Sequence, residues 1–151
     1  MKTIKNSKII IQVGVKALIL NKDGKILLLK CVLRENSGIY WDMPGGRIEG
    51  KESLVNNLKR EIFEETKLVT VKIGKVLAVQ EFLHDNKHIM RLTYVARVTS
   101  TKSLRLSNEH SEYKWFDLSE IHKLRNLDKY LKLILKDKIK LSLIESYINK
   151  G

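Results

Sequence analysis

A single cysteine, Cys31, excludes an internal disulfide framework and a Cys-rich zinc site. One proline and eight glycines are too few for a low-complexity or disordered chain. Long hydrophobic runs are missing too. The stretch Ile9 to Leu20 is broken by Gln12 and Lys16 and is too short to span a bilayer. It follows a Lys-rich start, as an export signal would, but the internal Lys and the alternation around it read as a strand. A soluble protein in a reducing, cytoplasmic setting is expected, with no membrane partner. No repeat and no Pro/Ser/Gly-rich linker divides the 151 residues, so one domain over 1–151 is expected. Acids are scarce, seventeen against twenty-nine Lys and Arg, which leaves a formal charge of +12. The excess suits an anionic partner of several kinds, or a solvated basic surface.

The elements follow from pattern. Ile10 to Leu20 and Ile26 to Val32 are β-branched and apolar, and Asn21-Lys22-Asp23-Gly24 between them signals a tight turn. Arg34 to Tyr40 reads as a polar loop, and Trp41 to Gly50 as a Gly-containing loop with the only proline. From Glu52 to Thr66 the spacing of Leu54, Leu58 and Ile62 is helical. Val71 to Leu83 and His88 to Ser100 form two more strands around Asp85-Asn86-Lys87, and Glu112 to Phe116 a short one. Helical spacing returns from Asn126 to Ile148, as one helix or as two restarted at Asp137. The pattern predicts a mixed α/β domain.

The chemistry concentrates in one stretch. Five of the seventeen acids lie between Gly46 and Glu65. On the helix, Glu61 and Glu65 stand one turn apart, on the face begun by Leu54 and Leu58, and Glu64 is one step round. Carboxylates crowded beside a core repel each other and resist desolvation. The helix C-terminus disfavours them further. A hard divalent ion, Mg²⁺ or Mn²⁺, would offset all of this. One guanidinium, Arg60, can hold one carboxylate in bidentate fashion and cannot relieve the rest. Gly45 and Gly46 offer a closely approaching backbone, with a carbonyl for a metal and N–H groups for an anion. A diphosphate fits between such a metal and such a loop.

The stretch WDMPGGRIEGKE (41–52), continued by Arg60, Glu61, Ile62, Glu64, Glu65 and Leu68, resembles the signature box of the Nudix hydrolases. The match spans twenty-three residues, Gly46 to Leu68, and departs at one position, where Lys67 replaces a glycine. The resemblance implies the Nudix fold, a mixed β-sheet sandwiched between α-helices. It implies Mg²⁺-dependent (or Mn²⁺-dependent) hydrolysis of the pyrophosphate bond of a nucleoside diphosphate linked to another group. It places Glu61, Glu64, Glu65 and the Gly45 carbonyl as metal ligands. Arg60 would orient Glu61, and Glu52 would support the site from the helix start. Glu61, Glu64, Glu65, Glu109 and Glu112 remain open as the proton acceptor. A lysine at position 67 in a left-handed helix cap would cost on the order of 1 kcal/mol and remove no ligand.

The substrate is less sharply marked. No proline follows Pro44, no tyrosine stands in Leu83-His84-Asp85, and the coenzyme A motif is missing. A MutT-like nucleoside triphosphate pyrophosphohydrolase remains. The alternatives are an ADP-ribose, nucleotide-sugar or RNA cap hydrolase, or a Nudix-fold nucleotide or RNA sensor. Candidate substrate contacts are Gly46, Arg47, Arg34, Glu109, Glu112 and Asn126, the last a base contact or a helix N-cap. Arg91 alone reads as a surface charge or a phosphate holder. Trp41 and Trp115 read as core rather than base-stacking aromatics, and Cys31 as a small buried residue. The four histidines show no ligand spacing. Lys129 to Lys140 reads as a core-packed helix with a solvated Lys face. A nucleic-acid partner is not expected, whereas a homodimer is open because the family often dimerises.

Overall fold

The computed structural model describes residues 8–32 and 38–151. In chain order the elements are β1 (Ile10–Leu20), β2 (Ile26–Val32), β3 (Ile39–Asp42), β4 (Gly45–Arg47), α1 (Leu54–Thr66), β5 (Val71–His84), β6 (Lys87–Val98), β7 (His110–Phe116), α2 (Leu118–Ile121), α3 (Lys129–Lys136) and α4 (Lys138–Asn149). The strands form one mixed sheet whose spine runs β3-β2-β1-β6-β5, with β4 paired to β1 and β7 to β2. Only β1 and β6 run parallel among the spine pairs.

Strand alternation sorts the core into two layers. Val15, Ala17 and Ile19 of β1 and Leu27 and Leu29 of β2 pack with Leu58 and Ile62 of α1. Leu18, Leu20, Ile26 and Leu28 face the opposite way, against Ile121, Leu131, Ile134 and Ile144 of α2, α3 and α4. The sheet is therefore sandwiched between helices, as the resemblance implies. The basic stretch near the C-terminus is core-packed, and Asp137 does restart the helix by accepting N–H bonds from Ile139 and Lys140. Among the described residues no helix is long and apolar enough to cross a membrane.

The β1–β2 turn forms as its residues predict. Asn21 Oδ1 accepts from the N–H groups of Asp23 and Lys25, and Gly24 takes φ +74°. Beyond the pair Leu20↔Ile26 the two strands part. The expected loop over 41–50 is in fact used to bridge that fork. Residues 39–42 pair with β2 as β3, and 45–47 pair with β1 as β4. Two glycines hid β4 from a pattern reading, β3 is only four residues long, and Tyr40 belongs to β3 rather than to a loop. Trp41 packs edge-to-face on Phe116 at 5.1 Å, as a core aromatic.

A buried chain of charges lies beneath the fork. Lys16 is in phase with Leu18 and Leu20, and its Nζ meets Asp42 at 3.0 Å. Asp42 also meets Arg91 at 2.7 Å, and Arg91 meets Asp128 at 2.8 Å. Arg91 is thus a buried structural ion, not a surface charge. Burial opposes the Asp42 charge, but Lys16 and Arg91 together hold its pKa below 3.8. Asp128 caps α3 through the Tyr130 N–H, so the cap is Asp128 and not Asn126. Asn126 is exposed, and its carbonyl accepts from the Trp41 N–H at 2.7 Å.

Lys67 does occupy the left-handed cap of α1, at φ 57° and ψ 14°. Its N–H reaches the Phe63 carbonyl, and its ammonium lies 5.1 Å from the Phe63 ring centre, which offsets part of the strain.

Removing one member of a buried ion pair strands its partners. Arg91→Leu should lower stability by about 3–5 kcal/mol in urea titrations. Asp42 stabilises fully above 3.8 and loses its contribution as pH falls through its lower folded value. The variant should therefore also show a shallower acid transition. An unchanged urea midpoint would refute the structural role.

Candidate active site

Three carboxylates leave α1 at its C-terminal end. Glu65 is buried, Glu61 half-buried and Glu64 exposed. They line an open cleft of about 820 Å³ together with Gly45, Gly46, Arg47, Arg60, Tyr40 and Glu109.

Backbone geometry fixes the wall facing the helix. The Gly45 N–H donates to Glu65 Oε2 at 2.8 Å. Gly45 has φ +132°, and a Cβ there would sit 2.1 Å from the Val15 carbonyl oxygen. A Cβ on Gly46 would sit 2.7 Å from the Glu61 carboxylate. The two glycines thus have different reasons: one lets β4 pair with β1, the other makes room for a carboxylate. The Gly45 carbonyl is not free, contrary to expectation. Lys16 Nζ donates to it at 3.1 Å and also to the Met43 carbonyl at 3.1 Å.

Arg60 does more than hold one partner. Its Nη1 contacts Glu61 at 3.3 Å and Glu64 at 3.1 Å, its Nε contacts Glu52 at 3.3 Å, and its Nη2 donates to Asn57 Oδ1 at 2.9 Å. Asn57 is fully buried and ties α1 to the far end of β4 through the Arg47 carbonyl. A guanidinium spread over several acids stays charged and neutralises none completely. Burial pushes the Glu65 carboxyl up to about 7, with Lys16 and the Gly45 N–H opposing. Burial raises Glu61 as well, against the pull of Arg60. Two acids reluctant to ionise beside each other and beside Glu64 make a site that favours an added cation.

A turn before β7 closes the cleft. The Arg105 N–H donates to the Thr66 carbonyl at 2.8 Å and the Ser107 N–H to the Glu65 carbonyl at 3.0 Å. Glu109 therefore lines the cleft, and His110 Nε2 stands 3.8 Å from Glu65 Oε1. Burial, with Lys16 nearby, keeps the His110 pKa below 6.5.

The match to the NUDIX domain model covers residues 11–137, and this geometry carries its signature box. The chain belongs to the Nudix family. It is accordingly a hydrolase acting on phosphoric anhydrides, of a family that generally uses divalent metal ions. It is 28% identical over 103 residues to an 8-oxo-dGTP diphosphatase of Buchnera aphidicola, covering 68% of this chain and 75% of that protein. It is 31% identical over 108 residues to an ADP-ribose pyrophosphatase of Methanocaldococcus jannaschii, covering 70% of this chain and 62% of that protein. The crystal structure of a MutT protein from Methanosarcina mazei superposes with a TM-score of 0.72 at 29% identity, over 97% of this chain and all of that one.

The Nudix box residues converge as their spacing predicts, but not every candidate joins them. Glu52 reaches the site only through Arg60. Glu112 lies on β7, exposed and paired with Lys30 at 2.8 Å, away from the cleft. Asn126 does not line it either. Arg34 falls outside the described residues. Sequence reading missed Lys16, Asn57 and His110. A lysine in phase with buried leucines was the available signal for the first. The histidine gave none, because its neighbour Glu65 is far away in the chain.

The glycine geometry separates folding from function. Gly45→Ala should disrupt the β1–β4 pairing and lower the melting temperature. Gly46→Ala meets only a movable carboxylate, so it should melt near the parent protein while losing activity. Equal melting and equal activity in both variants would refute the assignment.

Proposed function

We propose that the chain is a MutT-like nucleoside triphosphate pyrophosphohydrolase working as one domain, releasing pyrophosphate and a nucleoside monophosphate. The observation that carries the reading is the Glu61–Glu64–Glu65 cluster set against the Gly45–Gly46 backbone. The donors fit a hard divalent ion such as Mg²⁺ or Mn²⁺: all are oxygens, two of the carboxylates are raised by burial, and Arg60 leaves them incompletely neutralised. Glu61, Glu64 and Glu65 would hold it, and the Gly45 carbonyl would join through the lone pair that Lys16 leaves. When bound, the ion supplies neutralisation of the diphosphate oxygens and a lowered pKa for the attacking water.

The chain's own residues do the remaining work. Arg60, braced by Glu52 and Asn57, fixes the rotamers of Glu61 and Glu64. Arg47 at the cleft rim attracts the phosphates. A cleft acid, Glu61, Glu64, Glu65 or Glu109, takes the proton from water. The cleft runs through Tyr40, Gly46 and Arg47 into a second one of about 360 Å³ lined by Gln12, Arg91 and Tyr130. The nucleoside occupies that extension, where the ring of Tyr40 suits a base beside a Tyr130 ring already covered by Arg91 at 4.5 Å. Similarity to the Methanosarcina MutT protein and the Buchnera 8-oxo-dGTP diphosphatase supports the triphosphate class.

The test is a panel of dGTP, its 8-oxo form, ADP-ribose and dinucleoside polyphosphates with Mg²⁺, products being separated by chromatography. A nucleoside triphosphate should yield pyrophosphate, and Glu64→Gln should lower kcat at least about a hundredfold. Turnover confined to ADP-ribose would replace the substrate class. Binding without turnover of any compound would favour the sensor reading.

A further inference from the structure

Strands β1, β6 and β5 run on past the part of the sheet that α1 covers. Val15 and Leu92 mark the last row beneath that helix. Beyond it the ladders set Val13, Met90 and Glu81 in one row and Ile11, His88 and Leu83 in the next. Ile9 lies one step further along the same face, and Val79 flanks Leu92 on β5. Ile48, whose N–H donates to the Val13 carbonyl, extends the face on the β4 side. The reverse side of these strands is covered. There Phe82 packs edge-to-face on Tyr130 at 4.7 Å, and Gln80 Nε2 donates to the Tyr130 carbonyl at 2.9 Å. The α1 side is bare: Ile9, Ile11, Val79 and Leu83 are between 55% and 78% exposed. We propose that this face docks a second copy of the chain, sheet against sheet, about a two-fold axis.

Area, charge and shape choose a second copy as the occupant. The exposed aliphatics are joined by the half-buried Val13, Met90 and Leu92 into one patch. Its apolar part is on the order of 600 Å², at the upper end for the largest patch on an ordinary monomer. Glu81 and His88 bring the face near the about 800 Å² that each partner gives to a standard interface. The chain carries a formal charge of +12, which drives copies apart wherever basic residues face each other. On this face the ladder positions hold only Glu81 and His88 as titratable groups, and these pair with each other at 2.8 Å. Two copies meet here without that repulsion, and covering the pair strands no charge. The same balance leaves nothing for a nucleic acid or an anionic lipid surface to grip. A patch that is apolar across its width is also self-complementary, as a two-fold contact requires. The β5–β6 register is unbroken from Ala78 to His84, so the face has the regularity of sheets that pack about 10 Å apart. Met90 stands at the middle of the array, where a flexible thioether fills what two sheet faces leave between them. The second copy also covers Ile48, one residue past β4, and so braces the strand that carries the cleft glycines.

Sedimentation velocity of the full chain across a dilution series tests this. The wild type should pass from monomer to dimer at micromolar or lower concentration. Ile11→Glu and Leu83→Glu change exposed side chains, so both should melt with the dilute wild type, and each should raise the dissociation constant at least about thirtyfold. Should Ile11→Glu melt early, Leu83→Glu decides. Leu143→Glu, at an exposed apolar position on α4, should dimerise as the wild type does. A wild type still monomeric at about 100 μM overturns the proposal. So does a dimer that both sheet variants retain, or one that Leu143→Glu weakens as much as they do. None of these three residues lines the glutamate cleft, so the pyrophosphohydrolase reading stands or falls separately.

Discussion

The cleft depends on one close approach: the Gly45–Gly46 backbone lies directly against the carboxylate end of α1. The Gly45 N–H reaches Glu65 at 2.8 Å, and the missing Cβ of Gly46 leaves the space that the Glu61 carboxylate fills. No other residue type allows both the positive φ of +132° at 45 and the contact at 46. Carboxylates that would otherwise splay into solvent are thereby held beside each other and beside the sheet. Their mutual repulsion and desolvation are the stored preference for a cation.

That approach is itself held from below. The fork between β1 and β2 opens a gap in the sheet, and the segment from Ile39 to Arg47 crosses it. Lys16, Asp42, Arg91 and Asp128 alternate in sign under the crossing and link β1, β3, β6 and the start of α3. A buried ion chain adds little net stability compared with a well-packed apolar one. Its value here is position. Lys16 grips the Met43 and Gly45 carbonyls, so the glycine strand cannot drift from α1. The fold thus spends charge pairing on geometry at the place where the chemistry sits.

Much of this was legible in the chain itself. Strand alternation and Asn21-Lys22-Asp23-Gly24 gave the first hairpin, and the Leu54-Leu58-Ile62 stripe gave α1 with its carboxylates on the right face. The box spacing by itself brings Glu61, Glu64, Glu65 and Arg60 together at one end of α1. What escaped was long-range. β4 is three residues long and partly glycine, so no periodicity announces it. Arg91 reads as a surface charge until Asp42 and Asp128 close on it from distant segments. His110 meets Glu65 only because the 105–107 backbone bonds to the end of α1. Glu112 and Asn126 were near the right elements but point their interactions elsewhere, Glu112 to Lys30 and Asn126 through its carbonyl to Trp41.

The central claim is that the α1 carboxylates form an incompletely neutralised site that a divalent ion completes. An ion that binds only the folded state must stabilise it by mass action. Thermal unfolding with and without Mg²⁺, in the wild type and in the Glu61→Gln/Glu64→Gln variant, measures this directly. The account predicts a melting temperature that climbs with Mg²⁺ concentration in the wild type and stays flat in the variant. A wild-type melting temperature indifferent to Mg²⁺, or an equal climb in both proteins, would contradict it.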